Sequence, residues 1–236
     1  DRMYLAAGNV LWRNNDLTAI PLGFWQTTTV NWDMLSQSAV TFDLITALGI
    51  SRTPSSRLYY GTYVGQVYRL DNANTGNPSP TNVTSSNFPA FAFVISIAVD
   101  PTNADKAIVV FSNYGVVSLF STTDGGLSWT SVAGNLEQHP DGTGNGPSCR
   151  WAVVLPVGSS TVYFVGTSTG LYSTTSLNGS STVWVQEGAT TIGNLVVDAI
   201  DTRASDGLVF VGTHGGGVYG GNVANDSSSG IVLSYD

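Results

Sequence analysis

The sequence predicts an all-β fold, and three features support this prediction. Gly, Ser, Thr, Asn and Val are abundant, which suits short strands joined by tight turns. Apolar runs are paired around glycine-containing turns, as in β-hairpins. A unit of about 50 residues, long enough for four short strands, recurs along the chain. Four strands repeated at this period are typical of the blades of a β-propeller.

The repeat is clearest at its central hairpin. Three copies agree closely, at residues 58–68, 162–172 and 209–219, and looser copies lie at 3–12 and 108–118. Aligning Ala7, Gly61, Ser112, Gly166 and Gly212 gives spacings of 54, 51, 54 and 46 residues. Glycines in the hairpin turns have a physical reason, because tight turns need a positive φ that glycine adopts freely.

Each hairpin is flanked by two further strands. The preceding apolar runs predict inner strands at Ile45–Ile50, Val94–Val99, Trp151–Leu155 and Leu195–Ile200. A more polar segment after the hairpin, such as Thr182–Gln186, predicts an outer strand. We therefore expect the first strand of each blade to line a central channel, and the fourth to face water.

These blades predict a single propeller region over residues 1–236. The blade units are approximately 1–40, 41–90, 91–148, 149–192 and 193–236. The first hairpin begins at Met3, so the inner strand of that blade is expected before Asp1. One hypothesis is a fragment of a larger propeller of seven or more blades, continuous with further blades or a C-terminal module. The alternative is a five-bladed ring closed by its terminal strands.

One short motif lies at the predicted turn between a third and a fourth strand. Residues 122–129, Thr-Thr-Asp-Gly-Gly-Leu-Ser-Trp, match the Asp-box pattern [ST]-x-D-x-G-x-[ST]-W through Thr122, Asp124, Gly126, Ser128 and Trp129. The Asp124 carboxylate is expected to accept hydrogen bonds from turn N–H groups, and Trp129 to fill space within the blade. The motif therefore predicts a structural turn.

Through this motif and the repeat, the chain resembles the BNR/Asp-box propeller superfamily, which includes sialidases, xyloglucanase-type hydrolases and sortilin-like receptors. The final hairpin, 207–219, looks like the last blade of large secreted bacterial BNR-repeat proteins. In that superfamily the Asp box is a structural device on the outer rim. The resemblance therefore implies the fold and leaves the activity open.

Composition excludes some partners and favours others. Acidic residues outnumber basic ones by 16 to 8, and Lys106 is the single lysine, so the clustered cations that bind nucleic acid are missing. No apolar run approaches the roughly 18 to 20 residues of a membrane span. The acidic, lysine-poor composition is similar to that of secreted bacterial proteins, so we expect an extracellular or cell-surface location.

The residues give weak support to catalysis. A sialidase needs converging arginines and a Tyr/Glu pair, whereas the seven arginines are scattered and only two glutamates occur. A glycosidase needs two carboxylates about 5 to 9.5 Å apart. Asp43, Asp100, Asp198 and Asp201 are candidates, although turn capping explains each of them. Two histidines and a lone Cys149 predict no metal site, and we expect no cofactor.

We therefore expect a non-catalytic, secreted propeller that presents loops to a protein or glycan ligand. Trp25, Trp32, Trp151 and His214 are the candidate ligand contacts, since aromatic rings stack on sugars and His214 falls in an exposed hairpin turn. The alternatives are a propeller-type glycoside hydrolase, with carboxylates partly outside this chain, and a subunit of an extracellular surface or filament assembly.

Overall fold

The computed structural model describes residues 2–23, 30–223 and 232–234, which form five antiparallel sheets. Each sheet is a meander in which strands adjacent in sequence are hydrogen-bonded, and we call each one a blade. Blade 1 contains β1 (Met3–Ala7), β2 (Val10–Asn14) and β3 (Trp32–Leu35). Blade 2 contains β4 (Ile45–Arg52), β5 (Ser55–Thr62), β6 (Val67–Leu70) and β7 (Thr81–Asn82). The all-β prediction is confirmed.

The other three blades have the same four-stranded order. Blade 3 contains β8 (Val94–Val99), β9 (Ala107–Phe111), β10 (Leu119–Thr122) and β11 (Thr130–Ser131). Blade 4 contains β12 (Cys149–Val157), β13 (Ser160–Thr167), β14 (Gly170–Thr174) and β15 (Val185–Glu187). Blade 5 contains β16 (Val197–Arg203), β17 (Leu208–Thr213), β18 (Gly217–Asn222) and β19 (Val232–Ser234).

The hydrophobic core lies between blades rather than inside any one of them. Four apolar clusters fill the joints between successive blades. Neighbouring residues of one strand serve opposite joints: Tyr60 packs toward blade 1 and Tyr59 toward blade 3. Val109 and Val110 divide in the same way. Because side chains alternate across a strand, a strand covered on both faces is apolar along most of its length.

The inner strands of blades 2 to 5 surround a central cavity of about 610 Å³, as expected for the first strand of each blade. Three of these strands differ from their predicted bounds: β4 ends at Arg52 rather than Ile50, and two others also begin elsewhere. β12 begins at Cys149 rather than Trp151, and β16 begins at Val197 rather than Leu195. Blade 1 has three described strands, and its β1 contributes Leu5 and Ala6 to the cavity wall.

Within the described residues, four of the connections contain single turns of 3-10 helix. Within the described ranges we find no helix of the length and apolar character needed to cross a membrane.

Candidate functional site

The upper face of the blades is held together by a repeated hydrogen bond. We define the upper face as the segments that precede the inner strands together with the turns between the second and third strands. In blades 2 to 5 a turn N–H donates to the carbonyl just before the inner strand; the pairs are Tyr63 to Leu44 (2.9 Å), Ser112 to Phe93 (3.2 Å), Ser168 to Ser148 (2.9 Å) and His214 to Val196 (2.9 Å). These bonds place the loops of the upper face on a rigid scaffold.

All four inner strands carry an irregularity near their first residue. The pairing register shifts between Ile45 and Ala47, Val94 and Ser96, Cys149 and Trp151, and Val197 and Ala199. The residues left out of the ladder are Thr46, Ile95, Arg150 and Asp198. Such bulges change the direction of a side chain and are frequent beside functional sites. The bulges of blades 4 and 5 carry the two charged side chains.

Arg150 and Asp198 form an ion pair across two blades. Arg150 Nη1 lies 3.1 Å from Asp198 Oδ1, and both side chains are about two-fifths exposed, at 39% and 42%. His214 Nδ1 approaches the other oxygen of Asp198 at 3.4 Å, which is at the limit of a useful contact. Arg150 Nε is buried, and its N–H donates to no acceptor among the described residues. The guanidinium therefore keeps a donor that no group of the described chain uses.

This ion pair lines a cavity of about 410 Å³ between blades 3, 4 and 5. Two aromatic side chains share the cavity: Tyr114, in the turn between β9 and β10, is 66% exposed, and Trp151 is half-buried. Ser112 and Ser148 also line it, and Ser148 Oγ donates to the Ser112 carbonyl at 2.7 Å, which joins blade 4 to blade 3. Trp151 also reaches the central cavity. Aromatic, charged and hydroxyl groups thus converge in one concave place.

The Asp-box residues lie on the opposite face, from Thr122 at the end of β10 to Trp129 just before β11. Asp124 accepts hydrogen bonds from the Ser128 N–H (2.9 Å) and hydroxyl (2.5 Å) and from the Thr122 hydroxyl (2.7 Å), and these bonds lower the pKa of Asp124 to about 2. The Thr122 hydroxyl oxygen also accepts from the Gly126 N–H at 2.9 Å.

Two tryptophans fasten neighbouring blades to each other. Trp129 Nε1 donates to the Val83 carbonyl of blade 2 at 2.8 Å. Trp184, at the corresponding place in blade 4, donates to the Val132 carbonyl of blade 3 at 2.9 Å. Both indoles are buried, so each is a hydrophobic plug with its single donor satisfied.

The four predicted ligand contacts are distributed unevenly. Trp151 and His214 both lie at the Arg150–Asp198 cluster. Trp32 lies on the outer strand of blade 1, opposite Asn14. Trp25 is outside the described residues. Of the candidate carboxylates, Asp198 is in the cluster and Asp43 lies on the upper face in a different cavity.

Asp100 and Asp201 lie toward the opposite ends of their strands. Asp100 accepts hydrogen bonds from the Thr102 N–H (2.8 Å) and hydroxyl (2.7 Å), which is the turn capping expected from the sequence. In the described ranges no group of three or more His, Cys, Asp or Glu residues is arranged to hold a metal ion.

Sequence reasoning did not identify Arg150 and Tyr114 as contacts. Arg150 is separated from its partner by 48 positions, and only the alignment of the inner strands brings the two into the same place in adjacent blades. Tyr114 stands between Asn113 and Gly115 in a turn, and an aromatic residue flanked by turn formers was the available signal.

Comparison with known proteins supports the architecture. No known protein-family profile matches the chain, and no curated protein matches its sequence. The structure resembles the GH74 enzyme of Niastella koreensis, with 17% identity, a TM-score of 0.57 and coverage of 97% of this chain and 37% of that one. It also resembles the extracellular domain of a hybrid two-component system from B. thetaiotaomicron, with 15% identity, a TM-score of 0.56 and coverage of 92% and 25%.

The chain thus spans well under half the length of either structure. At these identities the likeness concerns the fold alone. The propeller architecture predicted from the repeat is confirmed: the chain is an all-β propeller of antiparallel blades.

Proposed function

We propose that the protein is an extracellular propeller that recognises a glycan, without cleaving it, at the cavity formed by Tyr114, Arg150, Trp151 and Asp198. The observation that carries the proposal is the meeting of two aromatic side chains with an ion pair in one cavity. Sugar rings offer apolar C–H faces that stack on aromatic rings, and hydroxyls that both donate and accept hydrogen bonds. The Arg150–Asp198 pair offers donors and acceptors side by side.

Recognition without cleavage is favoured by the number of carboxyl groups at the cavity. A glycosidase needs a second carboxyl group about 5 to 9.5 Å from the first. Among the described residues, Asp198 is the one acidic residue that lines this cavity, and it lies between Arg150 and His214. A single carboxylate that is already paired with an arginine suits hydrogen bonding to sugar hydroxyls better than hydrolysis by two carboxyl groups.

An extracellular location rests on composition, since the chain has one lysine and a net charge of −8. A glycan is favoured over a protein partner because Tyr114 stands in a concave cavity with hydroxyl groups. Protein interfaces are usually flatter and wider.

The experiment is a screen of the purified chain against a panel of oligosaccharides, followed by titration of the best ligand. Tyr114→Ala is expected to raise the Kd by about tenfold, because it removes one stacking face. Arg150→Ala should weaken binding as well. Leu127→Ala, which removes an exposed apolar side chain on the opposite face, is the matched control and should bind normally.

Two results would contradict the proposal. The first is that no oligosaccharide of the panel binds to the protein. The second is that both Tyr114→Ala and Arg150→Ala bind the best ligand with unchanged affinity. The release of shorter sugars during incubation would show that the protein is a hydrolase rather than a binding module.

A further inference from the structure

A second cavity on the upper face differs in chemistry from the glycan site. Its volume is about 530 Å³, and it lies between the turn of blade 1 and the segment leading into β4. Phe42, Asp43 and Tyr63 line it, with Gly8 and Asn9 on the side of blade 1. Backbone hydrogen bonds fix its walls: Ile45 N–H donates to the Gly8 carbonyl and Tyr63 N–H to the Leu44 carbonyl, each at 2.9 Å.

Asp43 is an acid whose charge has little compensation from the described residues. Its Oδ1 accepts the Leu44 N–H at 2.8 Å, whereas its Oδ2 is buried and receives no hydrogen bond from them. No arginine or lysine forms an ion pair with it there, in contrast to the partnered acids Asp33, Asp71, Asp105, Asp198 and Asp206. Burial and the charge of Asp43 together raise the pKa of the nearby Tyr68. An acidic side chain without a cationic partner thus lines the cavity, so the cavity favours a cation.

Two exposed aromatic rings share this cavity with the carboxylate. Phe42 is fully exposed and holds a φ of 54°, in the left-handed region that a phenylalanine rarely occupies. Tyr63 is more than half exposed, and its ring packs edge-on against Phe93 with centroids 5.6 Å apart. Backbone strain of the kind seen at Phe42 persists mainly where the surrounding structure imposes it, and it is concentrated at functional sites.

We propose that this cavity binds an alkylammonium group. A cation is attracted by the faces of aromatic rings and by a carboxylate, whereas an isosteric neutral group loses both attractions. The overall acidity of the chain, with 16 acidic and 8 basic residues, adds a long-range attraction. The inference rests on other residues than the glycan proposal, so either one can fail without the other.

The ammonium can be that of a free small molecule or that of an amino sugar within a glycan. Choline is the probe for the first source, and its neutral isostere 3,3-dimethyl-1-butanol is the control ligand. A deacetylated glucosamine trimer is the probe for the second source, and the N-acetylated trimer is its neutral control. Binding is measured by ligand-observed NMR at low and at high salt.

We expect a charged probe to bind about tenfold more tightly than its neutral control, and this preference to shrink as salt rises. Preference for choline identifies a free ammonium, and preference confined to the glucosamine trimer identifies an amino sugar. Equal binding of the charged and neutral probes in both pairs would overturn the proposal.

Two variants assign the effect to this cavity. Asp43→Asn keeps an acceptor for the Leu44 N–H and removes the charge, and Phe42→Gly removes the ring while relieving the positive φ. Each is expected to abolish the preference for the cation, and Leu127→Ala should retain it. Because both variants preserve the local backbone, a folded Asp43→Asn protein that still prefers the charged probe would also overturn the proposal.

Discussion

At the scale of single residues, two phenylalanines occupy a backbone conformation that their side chains disfavour. Phe42 and Phe91 have φ values of 54° and 56°. They stand at equivalent places in successive blades, each three residues before the first residue of an inner strand. The left-handed region costs roughly 1–2 kcal/mol for a residue with a Cβ. Neither ring recovers this cost by burial, since Phe42 is fully exposed and Phe91 is 84% exposed.

Phe91→Gly is therefore expected to stabilise the protein, by about 1 kcal/mol, because it relieves the strain and removes few contacts. Urea unfolding measures the change. Phe93→Gly is the control: Phe93 is half-buried, has no positive φ and packs against Tyr63, so its loss should destabilise. A lower stability of Phe91→Gly would show that the exposed ring makes a contribution that its burial does not reveal.

The sequence could predict part of the site. Trp151 and His214 are predicted ligand contacts, Trp151 because an aromatic ring can stack on a sugar and His214 because it falls in an exposed, glycine-rich hairpin turn, and both stay predictions. Asp198 is a candidate carboxylate in the sequence, but Arg150 is not singled out there, and the pairing of the two depends on a register shift of the inner strands. Phe42 depends on a φ that its residue type disfavours. Neither property follows from local residue preferences, because both are set by the packing of neighbouring blades.

At the scale of strands, a glycine in the second strand decides how closely the next blade approaches. A Cβ on Gly61 would lie 2.2 Å from Val94 Cγ1, and one on Gly166 would lie 2.6 Å from Val197 Cγ1. Val94 and Val197 are the first residues of the next inner strands. Gly212 holds the same place in blade 5, where the nearest atom would be 3.7 Å away.

Gly166→Ala is expected to cost about 1–3 kcal/mol of stability, as overpacking does, whereas Gly212→Ala should change it by less than about 0.5 kcal/mol. Chemical denaturation of the two variants and the parent checks the difference. Equal losses of stability at both positions would mean that glycine is needed for the conformation of its own strand and not for the close approach of the next blade.

The strands themselves were largely predictable. Their hairpins recur with recognisable turns, and the predicted inner strand Val94–Val99 has the same bounds in the structure. Bounds differ at β4, β12 and β16 because the hydrogen-bonded ladder extends into polar residues such as Arg52, Arg150 and Arg203, which an apolar run does not include.

At the scale of the whole molecule, acidic groups of two kinds set the response to pH. Burial raises the pKa of Glu137 and Glu187, although serine hydroxyls oppose the effect. Stability from these two groups is present below their ordinary pKa and is lost as pH rises through the raised values. Hydrogen bonds in turns lower the pKa of Asp124 and Asp141, so their contribution is present above the ordinary value and is lost as pH falls. Stability should therefore be greatest near pH 4 to 4.5.

The double variant Glu137→Gln with Glu187→Gln tests this account. It keeps acceptors for the Ser118 and Ser173 hydroxyls and removes both half-buried carboxyl groups. At pH 8 its Tm should exceed that of the parent by about 2–4 °C, and the difference should vanish below pH 4. Thermal unfolding followed by circular dichroism gives both values. A difference that persists at pH 4 would point to altered packing instead of charge.

The indoles of Trp129 and Trp184 bridge two successive joints, and this makes them natural fluorophores for motion between blades. Each sits in an apolar joint with its N–H bound to the backbone of the preceding blade. Separation of blades 2 and 3 would admit water to Trp129 and shift its emission to longer wavelength, and separation of blades 3 and 4 would do the same for Trp184. Single-tryptophan versions of the chain would thus report whether the blades come apart one at a time or together.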